Sequence, residues 1–397
     1  MIIEMTLENE VSFENIRSIG NTALQIASTV ANLYEDGKTV LLVPSRGAIP
    51  FVKAFIFACE ILSSRCNNLL QHLYAPDLFK VGDFLKNKGD FKIIPIPWTA
   101  DLSVKEEILH KYGKKGLEQL VDEWRYFFTK FVGSLTLERE ERNQNPYFLL
   151  HYFVNDKIER RGEEFSFYQA LPPIKLEECI MIDTVISGRA LSTILKYCYK
   201  EFGRVPYTIA VVDKDGTKIK KEPMETFRRF HKWIKMYPIP RIVSEDRGAS
   251  MLEVVSVVYP IFALEVEKQA RLFPSAAGTW HELSRLKNYK RVKIYAEAYD
   301  HFMNMIKNAI VYESSIISST EKERAKMDFE KERKEFLNLV NKYKLLRPEE
   351  SLNGKIFVPY YQTSRIYESG AHVIHIEFPS RINEKLVNMF KSYMVNL

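Results

Sequence analysis

The chain has 397 residues, length enough for two or more domains, and it is 46% hydrophobic and 27% charged, which excludes a disordered or fibrous protein. Its formal net charge of +6 admits an anionic ligand or a nucleic-acid surface and demands neither. No apolar run reaches the length of a membrane span, the acidic start MIIEMTLENE lacks a signal-peptide layout, and Cys59, Cys66, Cys179 and Cys198 form no C-x-x-C pair; they read as buried, reduced thiols of a cytoplasmic protein with no membrane partner.

The first predicted element is a helix from Phe13 to Tyr34. Ile16, Ile19, Ala23, Ile26, Ala27, Val30 and Leu33 recur at helical spacing, and Asp36-Gly37 stops it. Thr39 to Val43 is a short apolar run, read as a strand buried on both faces. Ser45-Arg46-Gly47-Ala48 breaks that run, and Pro50 opens a helix to Leu62 with Phe51, Ala54, Phe55 and Ala58 on one stripe. Phe91 to Pro97 reads as the next strand, its prolines marking a strand end or an edge. Trp98 to Pro173 then interrupts the alternation: helix signals from Ser103 to Val132, a charged stretch (LEREERNQN), and aromatic patches near Tyr147 to Phe153. This is an inserted helical subdomain or a long lid, and a protein-binding insertion fits equally well.

Cys179 to Asp183 is an apolar strand ending in one carboxylate. The loop Thr184-Val185-Ile186-Ser187-Gly188 follows, and a helix runs from Arg189 to Phe202, ended by Gly203. Strand, tight turn and helix N-terminus suit a sugar phosphate: backbone N–H groups hold the phosphate, and the carboxylate just before holds ribose hydroxyls. Tyr207 to Val212 is another buried strand, followed by Asp213-Lys214-Asp215-Gly216. The alternation of strands and helices predicts a parallel sheet with right-handed crossovers and binding loops at the carboxyl ends of its strands. Phe227 to Lys235 (FRRFHKWIK) interleaves bases with aromatics, a composition that serves nucleic acid but is commoner in a basic surface helix or strand, so nucleic acid is a partner this stretch permits and does not favour. Met251 to Val266 holds a β-like run, VVSVVYPIFALEV, read as the last strand of the sheet. His281 to Leu346 is charged and helical, with Phe329, Phe336 and Val340 on one core-packing stripe. Gly354 to Pro379 is β-rich and Arg381 to Leu397 reads as a terminal helix. His372 and His375, three apart in a strand, fall on opposite faces and do not share a metal.

The loops after the first strand and after Asp183 resemble those of the type I phosphoribosyltransferases. That signature is four apolar residues, two acids, a short apolar stretch, then Thr-Gly. Laid on this chain without gaps, Asp183 takes the second acidic place, Ser187 the Thr place and Gly188 the Gly place. Ile182 stands in the first acidic place, Ile186 where many members carry an Asp or a small residue, and Ala190 where a second hydroxyl often grips the phosphate. A gapped alternative puts Asp183 first and Thr184 second; the ungapped one is preferred. Arg46 and Gly47 match the family's Arg-Gly-Gly-like loop, with Ala48 replacing the second Gly. The resemblance covers roughly Phe13 to Val266, apart from the insertion.

The resemblance implies an α/β fold, an open, mostly parallel sheet flanked by helices over residues 1–97 and 174–279. Residues 98–173 are then the helical insertion or lid, and 280–397 a separate C-terminal α+β domain of unknown role. It implies transfer of a phosphoribosyl group from phosphoribosyl pyrophosphate (PRPP), or binding of a related ribose phosphate, with a nucleobase or similar acceptor and release of pyrophosphate, a reaction of nucleotide metabolism. Asp183 would hold the ribose hydroxyls as the catalytic residue. Thr184, Val185, Ile186, Ser187 and Gly188 would hold the 5′-phosphate, and Arg46, Gly47 and Ala48 the pyrophosphate. Magnesium is the implied cofactor, touched by Asp183 indirectly through the ribose. The departures at Ile182 and Ala190 and the oversized insertion motivate an alternative: a catalytically degenerate nucleotide sensor or scaffold in a multi-domain regulatory or defence system, its protein partner bound through 98–173 or 280–397.

Overall fold

The computed structural model describes residues 8–73, 89–96, 98, 122, 125–126, 128–145, 148, 171–240 and 289–343, together with three strands between 356 and 377. Helix α1 (Phe13–Glu35) begins at Ser12, whose hydroxyl accepts from the Asn15 N–H at 3.4 Å, and it ends where Gly37 adopts φ +84°. Its apolar stripe, Ile16 through Leu33, is buried as the spacing predicts. Strand β1 (Val40–Val43) leads through a single 3-10 turn (Arg46–Ala48) into α2 (Ile49–Ile61), which has Pro50 in its first turn, and then α3 (Ser63–His72). Strand β2 (Lys92–Pro95) follows, then β3 (Cys179–Val185), α4 (Arg189–Phe202), β4 (Tyr207–Asp213), α5 (Lys221–Arg229) and β5 (Ile234–Ile239).

These five strands form one sheet in the order β2-β1-β3-β4-β5, with every pairing parallel. All four residues of β1 are buried, and so are all but the first of β4, the mark of strands covered on both faces. The outer strands carry Pro95 and Pro238, where a missing N–H breaks no ladder. Right-handed crossovers, the rule for parallel strands, would put α2 and α3 on one face and α4 and α5 on the other. Order 2-1-3-4-5 has its topological switch between β1 and β3, the place where open α/β sheets bind ligands.

Two expectations change here. β3 runs past Asp183: Thr184 and Val185 pair with Val211 and Val212, because β-branched residues extend a strand readily. The turn therefore shrinks to Ile186–Gly188. The last strand of the sheet is β5, read from sequence only as a basic surface stretch; the run Met251 to Val266 lies outside the described residues.

The described part of the insertion is helical at 128–134 and anchored to the α/β unit. Trp98, fully buried, donates its indole N–H to the Arg125 carbonyl and to Thr129 Oγ1, both at 3.1 Å. Arg142 is wholly buried and donates to the carbonyls of Leu135, Leu137 and Leu171, which ties the segment's end to its middle. Gly133 lies against the Phe202 ring of α4, and Lys130 pairs with Glu201.

Helices α6 (Tyr289–Glu313) and α7 (Ser319–Tyr343) form a hairpin. It packs on α1: Gly20 meets the Ala309 backbone, and the Phe13 ring lies 5.0 Å from both Tyr312 and Phe329. The stripe Phe329, Phe336 and Val340 is buried in the same continuous core as the sheet. The boundary expected near residue 280 is thus crossed by packing: 289–343 belongs to the core of the α/β unit. Beyond it, β6 (Ile356–Tyr360), β7 (Ile366–Glu368) and β8 (Val373–Glu377) form a small sheet in the order β6-β8-β7. The expected terminal helix lies outside the described residues. Among those described, no helix is long and apolar enough to cross a membrane, and all four cysteines are free and buried.

Candidate functional site

Parallel pairing of β1 with β3 places the turn after each on the same sheet edge, at the switch point. The first turn touches the end of β3. A Cβ added at Gly47 would fall 2.5 Å from Thr184 Oγ1, so glycine is what lets the turn close on that strand. Ser45 joins them by hydrogen bonds. Its hydroxyl accepts from the Ala48 N–H at 3.2 Å, which shapes the 3-10 turn, and donates to Asp183 Oδ1 at 2.5 Å. The Thr184 N–H donates to the same oxygen at 2.9 Å.

Asp183 is 1% exposed. Burial pushes its carboxyl up to about 7, although the Ser45 hydroxyl, the Thr184 N–H and the Arg125 charge each favour the ionised form. Desolvation therefore outweighs three stabilising neighbours. A carboxyl raised in this way responds to a ligand at the crest. Ile182, in the first acidic place of the family signature, is wholly buried in the core.

The second turn ends at Gly188, at φ +76°. A side chain there would be strained, and its Cβ would come 2.9 Å from Pro223 Cβ and 3.2 Å from the Phe227 ring. The close approach of α5 is itself a reason for glycine. α5 also braces the turn through the Lys220 N–H to the Ser187 carbonyl at 3.2 Å and through Ser192 Oγ to Thr226 Oγ1 at 3.0 Å. No side chain caps α4, so its first-turn N–H groups point out of the helix start beside half-buried Ile186 and Ser187.

The structure thus brings Gly47 and Ala48 beside Asp183 and Thr184 and sets Arg46 in the same turn. It places Val185 in the strand, buried. Sequence reading passed over three participants. Ser45 stands two residues beyond β1, where a hydroxyl followed by a turn is a recognisable cap signal. Arg125 comes from the insertion, and nothing in its local sequence points to Asp183. Asp213, at the end of neighbouring β4, is fully buried with Lys218 Nζ 3.4 Å from its Oδ2. The next three residues, Lys214, Asp215 and Gly216, take φ of +49°, +52° and +81° in succession. The first two are strained for side-chain-bearing residues, and they extend the built edge one strand further.

Among the described residues no three His, Cys, Asp or Glu side chains gather, and Asp183 Oδ1 accepts from two donors. No family model matches this chain, and neither a curated protein nor a solved structure matches it.

Proposed function

We propose that this chain binds PRPP or a related ribose phosphate at the β1/β3 crest and transfers its phosphoribosyl group to a nucleobase or similar acceptor in the cytoplasm. The observation that carries the reading is the contact of the first turn with the end of β3 at the switch point, Gly47 on Thr184 and Ser45 on Asp183. The Ile186–Gly188 turn and the first amides of α4 take the 5′-phosphate. The Arg46–Ala48 turn takes the pyrophosphate. The ribose hydroxyls displace Ser45 as donors to Asp183, exchanging one hydrogen bond for another. The acceptor's lone pair attacks the anomeric carbon as the bond to pyrophosphate breaks and its electrons leave with the pyrophosphate. The chain contributes orientation and stabilisation of the departing charge.

Pyrophosphate release from PRPP, measured over a panel of nucleobases with magnesium present, tests this. Asp183→Ala is expected to lower the rate at least about a hundredfold, the scale of losing a group that acts in the transition state. Turnover unchanged by that substitution overturns the reading.

A second reading has its own support. Asp183 is 1% exposed and held by Ser45 and Thr184, and Ile182 is a core residue. Such a closed carboxyl suits a degenerate sensor that binds the same ligand without chemistry. Calorimetric binding of PRPP by a chain that releases no pyrophosphate with any base assigns the protein to this second class.

A further inference from the structure

α4 and α5 both end at the amino edge of the sheet, opposite the Ser45 and Asp183 crest, and the chain turns there through His231–Trp233 into β5. Lys200, Arg228, Arg229, His231 and Lys232 are exposed on this face. Among the described residues four large hydrophobic side chains stand exposed, and two of them, Tyr199 (44%) and Trp233 (47%), are here. Phe230, itself buried, meets Tyr199 through its ring, 5.4 Å away, and Trp233 through the backbone, the Trp233 main-chain N–H donating to the Phe230 carbonyl at 2.8 Å. The Arg229 guanidinium rests over both rings, 4.8 Å from Tyr199 and 5.3 Å from Phe230, which holds its plane in place.

Cations at helix C-termini complement the helix dipole, and that accounts for Lys200, Arg228 and Arg229. It does not account for an exposed tryptophan and tyrosine beside them. Acidic side chains on this edge are mostly engaged elsewhere: Glu201 by Lys130, Glu222 by Lys196, Glu177 by Arg204 and Glu178 by Lys175, with Glu225 exposed on α5. Aromatic faces, a stacked guanidinium and surrounding cations are the elements of a base-stacking platform. An acidic peptide would satisfy the cations and leave the indole face unused. We propose that this face, built from the ends of α4 and α5 and the His231–Trp233 turn, binds single-stranded nucleic acid, with bases on Trp233 and Arg229 and phosphates on Arg228 and Lys232. The site lies at the far edge from the ribose-phosphate crest and stands whether or not that reading holds.

The test is fluorescence anisotropy of a labelled oligothymidylate, about twelve nucleotides long, titrated with the full chain. Binding is expected to weaken roughly tenfold between about 50 mM and about 200 mM salt, as release of counterions from two or three phosphates requires. Trp233→Ala and Arg229→Ala are each expected to lower affinity about tenfold, while Trp233→Phe retains most of it. Lys232→Ala is expected to flatten the salt dependence. Circular dichroism of each variant should overlay the parent, since these side chains are exposed. Three results overturn the proposal: no binding at the lower salt, affinity indifferent to both Trp233→Ala and Arg229→Ala, or an oligoglutamate peptide that binds as tightly as the oligonucleotide.

Discussion

Asp183 shows how far a single residue was legible. Its place at the end of a buried strand, ahead of a turn and a helix, is plain in the sequence. Its burial and its bond to Ser45 are not, because they depend on β1 and β3 becoming neighbours from positions more than a hundred residues apart. That burial has a thermodynamic signature opposite to the usual aspartate. Burial pushes the folded carboxyl up to about 7 from the ordinary aspartate value of 3.8. Well below 3.8 both folded and unfolded forms are protonated, and this residue adds no pH dependence. Between the two values the unfolded chain ionises first, so folding takes up a proton and stability falls as pH rises, by about 1.4 kcal/mol per pH unit within the window. Above the folded value both forms are ionised and the penalty, on the order of 4 kcal/mol, stops growing. Asp183→Asn cannot ionise. Urea unfolding at intervals from pH 4.5 to 8 is therefore expected to show the parent losing stability relative to the variant. Parallel pH profiles would mean that the carboxyl is ionised in the folded protein across the whole range.

At the scale of elements, strong periodicity carried and weak periodicity failed. α1 and α4 match their expected spans to within a residue because a long amphipathic stripe is bounded by clear stop signals, Ser12 and Gly37 in α1, Gly188 and Gly203 in α4. β5 was missed for a physical reason: as an edge strand it alternates buried and exposed positions and tolerates Pro238, so it lacks the apolar run that announces β1 or β3. Packing between helices was equally hidden. Nothing near Gly20 marks it as the point where α1 meets α6. Gly20→Ala sets two effects against each other. Alanine improves helix propensity by about 1 kcal/mol. Its Cβ, however, would sit 2.7 Å from the Ala309 carbonyl carbon and 2.9 Å from the Ile310 nitrogen. Those are backbone atoms of a long helix and cannot swing aside, so α6 must move as a body, and overpacking of this kind costs about 1–3 kcal/mol. The net expectation is a loss on the order of 1 kcal/mol in urea unfolding. A more stable variant would show that α1 and α6 part freely.

For the whole molecule, the question is whether the hairpin is an appendage or part of the structure that holds the crest together. Sequence placed a domain boundary at residue 280 because the composition changes there, and composition reports solvent exposure better than it reports packing. The charged faces of α6 and α7 are solvated, but their apolar stripes close over α1 and α2, and α1 in turn meets the sheet at β5 through Thr29 and Tyr237. Chains of this length commonly unfold in pieces, so a shared core makes a sharp expectation. Phe329 is wholly buried with its ring 5.0 Å from Phe13, and Phe329→Ala should cost about 3–5 kcal/mol. If the core is continuous, that loss is felt at the far end of the molecule. Circular dichroism, weighted by the helical hairpin, and tryptophan fluorescence, to which Trp98 contributes from beneath the insertion, should then report one transition, displaced to lower urea by the same amount in both signals. A variant whose helical signal melts early while its fluorescence transition stays at the parent's midpoint would separate the hairpin from the sheet and return the boundary to residue 280.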